Sequence, residues 1–327
     1  MKASTRPLAC STVSCAVFSF VAVSAAPPRG KASFEALGDL PGGAFESLAL
    51  GVSADGSGVI GYGTTEAGSQ AFRWSKKQGM MSLGNLPGGT FRQSWAAKIS
   101  ADGNTVVGYG DPDGSGWNGH KGFLWTPAQG MVEIHGTREA MAVSADGAVV
   151  VGDGGQQAFR WTRTGEPTRL GVLPGRLSSR AIAVSADGSV VTGSSYDLPS
   201  WSNEEAYVWS QTGGMRGLGF APEQNGSFPN AIFPDGSVIA GTSGAVAFRW
   251  SQETGMTVIP HLPGRHLTHP GGVSAKGTTI VGSTFVDRDH ATAFIWDAAH
   301  RMDRSLSVGA GTRKAIARDS GSSSVHP

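Results

Sequence analysis

The chain has 327 residues, including 49 glycines and 17 prolines, and only 16% of its residues are charged, against an average of about 25%. Glycine at roughly twice its usual frequency indicates many turns, and the low charge content excludes a long solvated helix or a charge-driven disordered chain. The net charge of +1 excludes a strongly basic nucleic-acid-binding protein. A turn-rich β protein is the favoured class.

Residues 1–25 have the pattern of a secretory signal peptide. Lys2 and Arg6 precede an apolar run from Leu8 to Val23, which small residues follow. A retained membrane helix is the weaker interpretation, because polar residues interrupt the run and no stop-transfer pattern follows. A lipid anchor on Cys10 or Cys15 is also weaker, because the run continues past both. We therefore expect a secreted protein, extracellular or periplasmic, with no membrane span and no cysteine after cleavage.

The rest of the chain repeats one unit six times. The phrase Val52–Gly56, Val-Ser-Ala-Asp-Gly, returns with its last glycine 47, 44, 41, 48 and 41 residues further along. An apolar run ending in glycine follows each phrase, and an aromatic-x-Trp triplet follows that run, as in Phe72–Trp74. Asp-Gly between apolar runs predicts a tight hairpin, and the spacing leaves room for four short antiparallel strands in each unit.

An all-β repeat of this length predicts a β-propeller of six four-stranded blades, with a seven-bladed ring or a β-solenoid as alternatives. We expect a closing strand and connector over 26–45, the six repeats over 46–308, and a polar tail with a degraded repeat start over 309–327. The segment Phe34–Leu37 is expected to replace a poor last strand at Met302–Leu306. The repeated tryptophans are expected to lie mostly buried between blades.

The motifs resemble those of the bacterial extracellular HAF repeats. The resemblance rests on Leu37–Gly43 (Leu-Gly-Asp-Leu-Pro-Gly-Gly), on Ala181–Ser189 and on Ala71–Trp74, and it covers nearly all of the chain beyond residue 25. It implies a secreted or surface location and a repeat architecture, and it implies no particular reaction.

A search for reactive groups finds no recognisable catalytic motif, no metal site and no cofactor site. The repeated aspartates are interpreted as turn residues, and Arg73, Arg160 and Arg249 as bridges between blades or edge residues. The stretch Asp111–Gly116 begins like a calcium loop, but Gly122 stands where the bidentate glutamate belongs. The histidines near Pro263 cannot share a helix, and the variable-loop carboxylates have no predictable spacing.

The predicted binding surface is the face that carries the loops between second and third strands, because these loops vary sharply between units. The side chains predicted to stack on a sugar or to anchor a partner are Tyr109, Trp117, His120, Tyr196, Trp201 and Asp289. We expect a monomeric, non-enzymatic binding or scaffold module for a glycan or envelope protein. A structural or adhesive repeat protein and an extracellular carbohydrate-active enzyme are the alternatives.

Overall fold

The computed structural model describes residues 35–197, 202–274, 278–286, 291–297 and 301–306. The predicted signal peptide and the polar tail lie outside these residues. The described part contains twenty-four strands and one short 3-10 helix, Gly116–Gly119, and none of its helices is long and apolar enough to cross a membrane.

Every unit forms one antiparallel sheet of four strands in chain order. The first sheet consists of β1 Ser47–Val52, β2 Gly58–Thr65, β3 Gly68–Ser75 and β4 Gly79–Ser82. The second consists of β5 Gln93–Ile99, β6 Val106–Asp111, β7 Lys121–Thr126 and β8 Gly130–Glu133. The third consists of β9 Glu139–Val143, β10 Val150–Asp153, β11 Ala158–Thr162 and β12 Thr164–Arg169.

The last three sheets repeat this order. The fourth consists of β13 Ser178–Val184, β14 Val190–Asp197, β15 Ser202–Ser210 and β16 Gly214–Gly217. The fifth consists of β17 Phe228–Ile232, β18 Val238–Ser243, β19 Val246–Ser251 and β20 Gly255–Ile259. The sixth consists of β21 Leu267–Val273, β22 Thr279–Phe285, β23 Ala291–Asp297 and β24 Arg301–Leu306.

The six sheets surround one central channel. Residues from the first strand of every sheet line the same cavity, so these strands are innermost. The hydrophobic core lies between neighbouring sheets: one cluster joins Ile60 and Ala71 of the first sheet to Ala96 and Val106 of the second. The predicted six-bladed β-propeller is confirmed.

The apolar run of each second strand ends in a glycine because a side chain there would clash with the first strand. A Cβ on Gly61 would lie 1.8 Å from the carbonyl oxygen of Leu48, and one on Gly108 would lie 2.0 Å from that of Trp95. Each glycine pairs across the sheet with the first aromatic residue of a triplet, as Gly61 does with Phe72. The Phe72 ring occupies the space above the glycine and is fully buried.

The prediction for the tryptophans was only partly right. Trp125 and Trp296 are buried, but the other four are half-buried. The first aromatic of each triplet is the better-buried residue, because it lies over the second-strand glycine. These six core rings belong to Phe72, Phe123, Phe159, Tyr207, Phe248 and Phe294.

The predicted role of Phe34–Leu37 was wrong. The fourth strand of the last sheet is β24, which pairs along β23, and residues 35–46 belong to no strand of that sheet. Phe34 itself lies outside the described residues. Asp39 instead ties the connector together, because its carboxylate accepts hydrogen bonds from the backbone N–H groups of Leu40 and Glu46.

Buried serines join one sheet to the next. Ser179, at the start of β13, accepts a hydrogen bond from the Ala158 N–H in the third sheet and donates one to the Gly171 carbonyl. Ser94 makes the equivalent bonds to Ala71 and Gly84 of the preceding unit, and Ser227 makes them to Ala206 and Gly219. Because a lone buried N–H or C=O is costly, each serine satisfies two backbone groups that the sheets leave open.

Candidate functional site

The two faces of the propeller differ in how strongly they repeat. On one face, the Asp-Gly turns join first to second strands. The Asp55 carboxylate accepts hydrogen bonds from the Ser53 hydroxyl and the Ser57 N–H, and these bonds lower the pKa of Asp55 to about 2. Asp102, Asp146 and Asp187 make equivalent bonds. These contacts support the interpretation of the aspartates as turn residues.

Backbone hydrogen bonds link these turns from sheet to sheet. The N–H of Ala54 donates to the carbonyl of Ala101 at 3.0 Å, and the series continues through Ala145 and Ala186 to the carbonyl of Pro234. Proline has no N–H, so Pro234 accepts a bond and passes none on. On this face the repeated turns therefore link each sheet to the next.

Arginines strengthen the same face. Arg73 Nε donates to the Gly103 carbonyl of the next sheet, and Arg160 Nε donates to Gly188. The second unit has leucine at this position, and Arg163 from the third sheet caps the Gly147 carbonyl instead. The predicted bridging role is confirmed for Arg73 and Arg160, while the turn that follows Arg249 in this pattern lies outside the described residues.

The opposite face carries an aromatic cluster, defined here as Trp95, Tyr109, Trp117 and His120. The His120 ring stacks on Tyr109 with centroids 4.7 Å apart and lies 5.8 Å from Trp117. Trp95 stacks on Tyr109 at 5.4 Å. Three of the six predicted site residues therefore meet in one place, and Trp117 is 41% exposed there.

Charged side chains of the third sheet border this cluster. His120 Nδ1 lies within hydrogen-bond distance, 2.7 Å, of Glu139 Oε1, and the Arg138 guanidinium lies 5.5 Å from the centre of the Trp117 ring. Arg138 also faces Asp153, with 3.9 Å between Nη1 and Oδ2. Burial raises the pKa of Asp153, and the charge of Glu139 adds to this rise, while the Gly155 N–H and Arg138 oppose it. Burial, followed by the charge of Glu139, also raises the pKa of Tyr109.

A second charged group continues along the same face. Arg180 Nη2 lies 3.1 Å from Glu204 Oε1, and its guanidinium stands 5.7 Å from the Tyr196 ring and 5.2 Å from Phe228. Tyr196 is only 3% exposed, so the predicted presentation of its ring to a ligand was wrong. Burial, with the charge of Asp153 next, raises the pKa of Tyr196 to about 12.

Trp95, Glu139 and Arg180 share one structural position, which sequence reasoning missed. We call it the mouth position: the first-strand residue whose carbonyl oxygen faces the second-strand glycine. The six sheets place Leu48, Trp95, Glu139, Arg180, Phe228 and His269 there. Their partners across the sheet are Tyr62, Tyr109, Asp153, Ser194, Thr242 and Ser283. A repeating frame thus places six different residues at equivalent points of the six first strands.

The remaining candidates are placed as follows. Trp201 and Asp289 lie outside the described residues. The Asp111 carboxylate accepts hydrogen bonds from the N–H groups of Ser115 and Gly116, so it closes its own loop. His261 Nδ1 is 2.9 Å from the Thr268 hydroxyl, and His269 meets the Phe285 ring edge-on at 5.5 Å.

Comparison with solved structures supports the fold. A structure of a prolyl endopeptidase is 13% identical with a TM-score of 0.56, covering 78% of this chain and 42% of that one. The β-propeller domain of Cps50 (Swd1) from Myceliophteria thermophila is 12% identical with a TM-score of 0.53, covering 82% and 88%. This chain has the fold of a β-propeller.

TolB from Acinetobacter baumannii is also similar, at 12% identity and a TM-score of 0.48, over 76% of this chain and 62% of TolB. The chain thus spans less than two thirds of TolB and less than half of the endopeptidase. No protein-family model and no curated protein matches the sequence. At these identities the likenesses describe the fold alone.

Proposed function

We propose that this chain is a secreted, non-enzymatic binding module, related to the HAF repeat proteins, that holds a glycan at the face bearing the aromatic cluster. The observation that carries the proposal is the meeting of Trp95, Tyr109, Trp117 and His120, from variable positions of one blade, beside charged side chains of the next blades. An envelope protein is the other partner that this surface would suit.

The chemistry of the face favours a sugar. Aromatic rings pack against the apolar faces of sugar rings, and charged groups at their edge supply hydrogen-bond donors and acceptors for hydroxyls. Trp117 offers an accessible ring, with Arg138 5.5 Å from its centre. Side chains that are already ordered lose little conformational entropy on binding, so a cluster held by a rigid scaffold is well suited to bind a ligand.

The purified protein should first be screened on a glycan array and, in parallel, in a pull-down from the envelope of the producing cell. For the ligand found, Trp117→Ala should weaken binding at least about tenfold, as expected for loss of an aromatic anchor. Its melting temperature should change little, because truncation of an exposed side chain alters stability by less than about 1 kcal/mol.

Phe45→Ala is the matched control, since Phe45 is an aromatic residue that is 88% exposed and lies outside the cluster. It should leave both binding and stability unchanged. A ligand whose binding survives Trp117→Ala and maps to the Asp-Gly turns would overturn the proposal. If an envelope protein bound through Trp117 and no glycan bound, the glycan part of the proposal would be wrong and the protein would be the partner.

The enzymatic alternative has one observation in its favour, because Glu139 and Asp153 are paired directly across the third sheet. Both residues are nevertheless buried: Glu139 contacts His120, and Asp153 accepts a hydrogen bond from the Gly155 N–H through Oδ1, while its Oδ2 lies 3.9 Å from Arg138 Nη1. Glycoside hydrolysis needs two carboxylates that reach the substrate from opposite sides of a cleft. We therefore assign this pair to support of the binding face.

Secretion forms part of the same proposal. Residues 1–25 supply the signal peptide, and the protein isolated from the producing cell should begin at Ala26. Mass spectrometry of that protein and of its cellular fraction tests this directly. Recovery of an intact N-terminus in the cytoplasm would contradict it.

A further inference from the structure

The central channel encloses a cavity of about 290 Å³, at the lower end of the range for small-molecule sites. Its wall is mainly apolar, and its larger aliphatic side chains include Leu50, Met141, Ile182, Ile232 and Val273. Trp95 and Tyr109 line it as well. The cavity thus shares a wall with the aromatic cluster and extends along the inner strands.

Lys98 is the exception in this wall. Every first strand has a bulge, and the residue just after it has an equivalent in each sheet. In β5 that residue is Lys98, which pairs with Val107. The five other sheets carry only glycine or alanine there: Gly51, Ala142, Ala183, Ala231 and Gly272. Because glycine or alanine suffices at this position in five sheets, the fold does not require a lysine there.

The lysine has no counter-charge in the described part of the channel. Its side chain makes no ion pair or hydrogen bond there, and Tyr62 and Tyr109 are the other titratable side chains of the described lining. Burial alone lowers the pKa of Lys98 to about 8. At neutral pH the amine is therefore still mainly protonated, and the channel contains a cation that an apolar wall disfavours.

We infer that the channel binds a small amphiphilic carboxylate, whose apolar part lies along the channel wall and whose carboxylate pairs with the Lys98 ammonium. Lys98 lies three residues beyond Trp95 along β5, which places it about 10 Å deeper. An apolar chain of that length would extend from the aromatic end of the cavity to the charge. A single point cation in an apolar wall suits one carboxylate better than a phosphate, which takes several donors.

Octanoate is a direct probe, with octanol as the neutral compound of the same chain length. Isothermal titration calorimetry should show saturable binding of octanoate to the purified protein and weaker binding of octanol. Lys98→Met keeps most of the stem and removes the charge. It should weaken octanoate binding by at least about tenfold, the usual effect of losing a charge-assisted hydrogen bond, and should leave octanol binding unchanged.

Two further variants complete the test. Lys77→Met, at an exposed lysine in the turn before β4, is the matched control and should not affect octanoate. Ala183→Leu narrows the channel at the equivalent position of β13 and should weaken both compounds. Equal affinity for octanoate and octanol, unchanged octanoate binding in Lys98→Met, or no saturable binding would each overturn the inference.

The inference does not depend on the proposed glycan site. Lys98→Met should leave glycan binding at Trp117 intact, and Trp117→Ala should leave octanoate binding intact. Failure of one site can therefore be distinguished from failure of the other.

Discussion

Replacement of Lys98 by methionine should make the protein more stable at neutral pH, which is unusual for a change inside a fold. The pKa of Lys98 falls from 10.5 to about 8 in the folded protein. At about 1.4 kcal/mol for each pKa unit, this shift corresponds to roughly 3 kcal/mol of lost stability while the amine is protonated. Because Lys98 keeps contact with the water-accessible lumen, we expect Lys98→Met to gain between about 1 and 3 kcal/mol.

The gain must disappear at high pH. Below pH 8 the amine is protonated in both the folded and the unfolded chain, and the full penalty is present. Between pH 8 and 10.5 the unfolded chain binds more protons than the folded one, so the stability of the wild type rises with pH. Above pH 10.5 both states are neutral and the penalty is gone. All other side chains are common to both proteins, so the difference between them reports Lys98 to first order.

Urea unfolding of both proteins, followed by tryptophan fluorescence at pH 7 and pH 10.5, measures this difference. The wild type should have the lower free energy of unfolding at pH 7, and the gap should close by pH 10.5. Lys77→Met is the control and should differ from the wild type by less than about 0.5 kcal/mol at either pH. A wild type that is as stable as Lys98→Met at pH 7, or a gap independent of pH, would refute the reasoning.

Three further predictions concern the frame and can be measured by urea unfolding. Phe159→Ala should destabilise the protein by about 3–5 kcal/mol, and Trp161→Ala by clearly less, because Phe159 is fully buried and Trp161 half-buried; equal losses would contradict the assignment of the core. Ser179→Ala should cost about 1–3 kcal/mol by leaving two backbone groups unpaired, and a neutral result would show that water replaces the hydroxyl. Gly108→Ala should cost at least about 3 kcal/mol or prevent folding, since its Cβ would lie 2.0 Å from the Trp95 carbonyl oxygen; a stable variant would mean that the bulge yields.

The architecture was predictable from the sequence because its signals are local and repeated. An Asp-Gly turn such as Asp55–Gly56 depends on backbone conformation within four residues, and the glycine indeed adopts a φ of +72°. The last strand was harder, because Arg301–Leu306 lacks the strand pattern of the other units, although it pairs with the preceding strand β23 in the usual hairpin. The error on Phe34–Leu37 came from treating a weak strand as an absent one.

The candidate site was predictable only in part, because loop length shows where a variable surface lies and not which side chains meet. Tyr109, Trp117 and His120 come from one loop and its flanking strands, so their proximity follows from chain distance. Trp95 and Glu139 reach the same place from separate first strands. Tyr196 comes from an equivalent strand end but is buried, since it packs beside Arg180 within its own sheet.

A signal for the missed residues does exist in the sequence once the units are aligned on their turns. Two residues before the serine of each turn, or before Phe233 in the fifth unit, five units have glycine or alanine and the second has Lys98. The mouth positions lie three residues earlier and share no residue type among Leu48, Trp95, Glu139 and Arg180. A position whose only role is structural should carry the same residue type in every unit, as the second-strand glycines do. At positions of the same strands that diverge while their neighbours stay constant, we therefore expect a ligand, rather than the fold, to determine the side chain.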